Sequence, residues 1–83
     1  MVNKLAAARA RIDVLDRKLA VLLSRRFALT APLGGLKKKL TDRARETQVL
    51  ANAAASAGGA YAAAARSVFK EIIRQSKKLQ VRK

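Results

Sequence analysis

Apolar residues recur through the first half of the chain as Leu5, Ala8, Ile12, Leu15, Leu19 and Leu22, then Leu29, Leu33, Leu36 and Leu40. The steps alternate between three and four, which is the seam of a long amphipathic or coiled-coil-like helix. One seam position breaks the rule: between Leu22 and Leu29 the apolar slot holds Arg26. A guanidinium keeps its proton, so burying it is costly unless an anion meets it. The side chain can snorkel out of the seam, pair with a carboxylate, or bind an anionic ligand.

Composition limits what can surround that seam. A chain of 83 residues makes one small domain, here expected to span 1–83, and buries only about 60% of its unfolded surface. Phe27, Tyr61 and Phe69 are the only aromatics and alanine is abundant, so the core is thin and oligomerisation is expected. With no cysteine or histidine there is no disulfide framework, no His/Cys metal cluster and no catalytic triad. The start, MVNKLAAARARID, holds no long uncharged apolar run, so neither signal peptide nor membrane span is expected, and the cytoplasm is the expected setting. Lys and Arg number 19 against 5 Asp and Glu, a net charge of +14 that attracts anions. The cations are spread over the whole chain, with few aromatics for base stacking and no nucleic-acid module signature. A solvated surface is therefore the better account of them, and a basic helical module binding nucleic acid is the alternative from another functional class.

The helix boundaries follow from capping chemistry. Asn3 is placed to cap the first helix. Pro32, Gly34 and Gly35 disfavour an α-helix, yet the seam keeps its phase across them, which predicts a long helix kinked near Pro32. Thr41 or Asp42 can cap a second helix carrying Arg45, Glu46, Val49, Leu50 and Ala53. From Ala51 to Ala65 the chain is nearly all small residues, interrupted at Gly58-Gly59. A third helix is expected from about Ala60 with Val68, Phe69, Ile72, Ile73 and Leu79 on it. Its basic end, including Lys77 and Lys78, suits the negative pole of the helix dipole. No segment reads as a strand. The expected class is all-α, one long helix and two shorter ones.

Several polar residues occupy telling positions on these helices. Arg26 and Lys37 lie 11 residues apart, about 1100° of helical turn, so they share a face within roughly 20° and stand about 16 Å apart. Asp42, Arg45 and Glu46 cluster on the first turn of the second helix, where capping and dipole compensation also explain the acids. Ser76 and Gln80 continue the Phe69, Ile72, Ile73 stripe, where either a polar site or a frayed helix end would place them. Arg9 sits about 25 Å up the axis from Arg26, out of reach of the same ligand within one straight helix, and an antiparallel partner helix could bring it there.

In order along the chain, Arg9-x-x-Ile12-x-x-Leu15-Asp16, Leu22-Leu23-x-Arg25-Arg26, Gly34-x-x-Lys37, Asp42-x-x-Arg45-Glu46 and Ile72-Ile73-x-x-Ser76-x-x-x-Gln80 resemble the all-α chorismate mutases, the AroQ class. No piece is specific alone; the ordered set is. The resemblance implies three helices per chain, an intertwined homodimer with two active sites, and the rearrangement of chorismate to prephenate on the route to phenylalanine and tyrosine. It implies no metal or cofactor. Arg26 and the partner chain's copy of Arg9 would bind the two carboxylates. Lys37 and Gln80 would hydrogen-bond the ether oxygen and its neighbouring carboxylate. Glu46, with Asp42, would hold the ring hydroxyl, and Arg45 and Ser76 would complete the site. The nearest alternatives on this fold are isochorismate pyruvate lyase and 4-amino-4-deoxychorismate mutase. The chain departs from the family in the short stretch between Lys37 and Asp42, four residues long, and in Pro32 within the long helix.

Overall fold

The computed structural model describes residues 3–36 and 41–80. Helix α1 (Lys4–Thr30) starts where expected: the Asn3 side-chain oxygen accepts from the backbone N–H groups of Leu5 (3.0 Å) and Ala6 (3.2 Å). These are two of the donors that a helix N-terminus leaves without partners. Ala, Leu and Arg, all strong helix formers, fill most of α1.

Pro32 decides the other end of α1. It has no N–H to continue the ladder and its ring crowds the carbonyl four residues back. The chain answers by tightening rather than stopping: α1 passes into a 3-10 segment, Ala31–Gly35, with Pro32 in its first turn. The expected kink is thus a change of helix type, in which the missing proline donor costs little.

Asp42 caps α2 (Arg43–Ala57), its Oδ1 accepting from Arg45 N at 2.9 Å. Gly58 ends the helix with φ +67°, and Gly59 follows at +47°. Both lie in the left-handed region, which a side chain disfavours. A short 3-10 turn, Gly59–Tyr61, leads into α3 (Ala62–Leu79). The glycine turn folds α3 back antiparallel to α2, bringing the last turn of α3 beside the first turn of α2. Alanines along the shared face let the backbones approach, and Ala53 is the one buried apolar residue among those described. On the outer face of α3, hydrogen bonds from Arg74 and then Gln75 hold the Glu71 carboxyl down at about 2.

Only the end of α1 and its 3-10 extension touch this hairpin, chiefly through α3. Every residue from Asn3 to Leu22 is exposed. Leu15, Leu19 and Leu22 stay 58%, 56% and 57% exposed, which forgoes roughly half of the 1.5–3 kcal/mol that fully burying each leucine contributes. The radius of gyration is 16.1 Å, against about 12 Å for a compact chain of this length. The described residues contain no strand, and no helix among them is long and apolar enough to cross a membrane.

Candidate active site

A cleft of about 120 Å³ opens where the end of α1, the start of α2 and the end of α3 converge. The first segment contributes Arg26, Thr30 and Leu33; α2 contributes Asp42, Arg45, Glu46 and Val49. From α3 come Ile73, Ser76, Lys77 and, at its C-cap, Gln80.

Arg26, the residue that breaks the seam, is half-buried at the centre of this arrangement. Its Nη1 donates to Ser76 Oγ at 2.8 Å, and that hydroxyl donates in turn to the Ile72 carbonyl at 2.8 Å. The serine proton is therefore committed to α3, leaving an oxygen lone pair for the guanidinium. No carboxylate among the described residues lies within ion-pair distance of Arg26. The seam arginine is thus turned into a cleft, held by a neutral hydroxyl, with N–H groups left over for a ligand. Burial first, and the like charge of Arg45 second, lower its pKa from the ordinary guanidinium value.

The neighbouring polar groups have divided tasks. Asp42 spends Oδ1 on the α2 cap, so the capping account of this residue holds. Arg45 leans along its own helix, donating from Nη1 to Gln48 Oε1 at 2.7 Å. Glu46 Oε2 lies 2.7 Å from Lys77 Nζ, an ion pair that ties α2 to α3. Ser76 and Gln80 are 4% and 6% exposed, so the face of the end of α3 that carries them is buried rather than frayed. The Gln80 N–H is shared between the carbonyls of Ser76 and Lys77, at 3.1 and 3.2 Å. Its side-chain oxygen is buried and finds no partner among the described residues. A buried amide oxygen without a partner is costly, which makes it a ready contact for something bound in the cleft.

Gly34 sits against Gln80. A Cβ on Gly34 would lie 2.9 Å from the Gln80 carbonyl carbon and 3.1 Å from its Cβ. Only glycine allows the 3-10 segment this close to the end of α3.

Six of the residues singled out in the sequence (Arg26, Asp42, Arg45, Glu46, Ser76 and Gln80) therefore meet around one cleft. Lys37 lies outside the described residues. Arg9 is exposed on the free part of α1 and does not line the cleft. Lys77 was read only as a dipole-compensating cation; its place directly after Ser76, on a helix end carrying two polar site residues, was the available signal. The role of Gly34 against Gln80 left no such local mark.

Three helices thus hold a cleft lined by Arg26, Arg45 and Lys77 against Asp42 and Glu46, with no nucleophile–base pair among its described residues. The family model for chorismate mutase type II matches residues 8–81, and the chain belongs to that family of isomerases. Comparison with curated proteins and with solved structures finds no match.

Proposed function

We propose that this protein converts chorismate to prephenate in the cleft between α1, α2 and α3. The observation that carries the reading is the convergence of six family-pattern residues, drawn from three separate segments, on that one cleft. In this reading Arg26 binds one substrate carboxylate through the N–H groups that Ser76 leaves unused. Gln80, buried at the end of α3, donates from its amide nitrogen toward the ether oxygen together with Lys37. Glu46, with Asp42 through the carboxylate oxygen that its cap leaves free, meets the ring hydroxyl, and Arg45 closes the polar rim.

The chemistry asks little of the protein beyond placement. One C–O bond breaks as one C–C bond forms within a single molecule, so no group is transferred to the enzyme. The rate gain comes from holding the flexible side chain over the ring and from donors aimed at the ether oxygen as negative charge develops there. Arg26 and Gln80 are pre-positioned by buried contacts, so they need little rearrangement at that moment.

The second part of the proposal is an intertwined homodimer, supported by the apolar seam that α1 leaves uncovered from Leu5 to Leu22. An antiparallel second α1 covers that seam and carries the partner's Arg9 toward the cleft that Arg26 occupies. The whole chain, 1–83, acts as one such domain, in the cytoplasm, on the route to phenylalanine and tyrosine.

The test is direct. Purified protein should remove chorismate absorbance and yield prephenate; no turnover at high enzyme concentration overturns the proposal. Isochorismate and 4-amino-4-deoxychorismate belong in the same assay, because the cleft residues alone do not separate those substrates.

A further inference from the structure

Lys77 is the one charged residue of the cleft to which the functional reading gives no task. It stands in the last turn of α3, between Ser76 and Gln80, and its ammonium crosses to Glu46 in the first turn of α2. Nζ and Oε2 are 2.7 Å apart and the two side chains are 30% and 28% exposed. The Glu46 oxygen itself is out of contact with solvent, and the contact is a charge pair rather than an aligned hydrogen bond.

That pairing changes what Glu46 can recognise. A carboxylate already neutralised by an ammonium still accepts a hydrogen bond on its second oxygen. It no longer draws in a further cation, which would meet Lys77 as closely as it meets Glu46. The surroundings reinforce this. Arg26 and Arg45 add positive charge to the same cleft, and the other carboxylate, Asp42, is engaged as a helix cap.

We propose that Lys77 determines specificity: by pairing with Glu46 it makes the cleft select a ring bearing a neutral hydroxyl over the same ring bearing a protonated amine. The inference rests on reading the cleft as a chorismate site with Glu46 facing the ring substituent. Chorismate and 4-amino-4-deoxychorismate differ in that group alone, and an allylic amine is protonated at neutral pH. Lys77 acts through Glu46 and is a positioning residue.

The experiment compares kcat/KM for these two compounds in the natural protein and in the Lys77→Gln, Lys77→Met and Lys77→Arg variants. Where the amine turns over too slowly to follow, it is read as a competitive inhibitor against chorismate. The natural protein should favour chorismate. Both neutral variants should narrow that preference about tenfold, the scale of a partly screened charge pair. Lys77→Arg should keep the preference. Circular dichroism checks that each variant remains helical, and Lys77→Met keeps the aliphatic stem if Lys77→Gln fails to fold. A preference left unmoved by both neutral substitutions, or an equal loss on both compounds, assigns Lys77 a structural role and overturns the inference alone. Failure of the natural protein to turn over chorismate overturns the wider reading and this inference with it.

Discussion

Arg26 shows how a residue too polar for its position becomes informative. In the seam of α1 its cost is offset by one hydroxyl, Ser76, and the rest of its donors face a cleft. Replacing it by alanine should lower kcat/KM by about 10², the scale of losing a clamp that holds the substrate carboxylate in its reactive placement. The melting temperature should change little, because the half-buried guanidinium makes one hydrogen bond within the described chain. An Arg26→Ala protein with full activity would refute its assignment. Arg26, Ser76 and Gln80 were all legible in the sequence for one reason: each puts a polar group where the helical period calls for an apolar one. Lys77 was not, because a cation at a helix C-terminus already has a sufficient local explanation.

At the scale of elements, the caps and turns are local and the sequence marks them. Asn3 and Asp42 cap by side-chain acceptance within three residues, and Gly58 supplies a positive φ where α2 ends. Pro32 was legible as a disturbance, but its outcome, a 3-10 segment, depends on how the chain is supported beyond it. That support is the contact of Gly34 with Gln80. We expect Gly34→Ala to push Gln80 out of place, since the clash is with backbone atoms that cannot swing aside. The variant should lose at least about tenfold in kcat while its helix content stays near that of the natural protein, because misplacing a donor by an ångström is enough for such a loss. Unchanged kcat would show that Gln80 tolerates displacement or does not act in catalysis.

At the scale of the whole molecule, the feature that stands out is an uncovered apolar seam on α1. The molecule's extents are 59 × 27 × 14 Å, with half of α1 standing clear of the α2–α3 hairpin. Light scattering should therefore give a mass near twice 9.0 kDa. Mixing exchangeable Arg9→Ala and Arg26→Ala proteins, each inactive alone, should restore about a quarter of the natural activity, because half the dimers become hybrids with one intact site in two. Failure of the mixture to recover activity would show that Arg9 is not supplied from a partner.

The sequence by itself determined the helices, their caps and the polar residues that interrupt an apolar stripe. All of these depend on interactions within about four residues along the chain, and period and side-chain chemistry express them directly. Only the tertiary structure decided which of those residues meet. Arg26 and Ser76 are 50 residues apart in sequence and 2.8 Å apart in space, and Glu46 finds Lys77 only because a glycine turn folds α3 back along α2. No local signal encodes such distances, since they follow from how whole helix faces pack. The seam that pointed first to a long helix ended, at its one charged position, in the wall of a cleft.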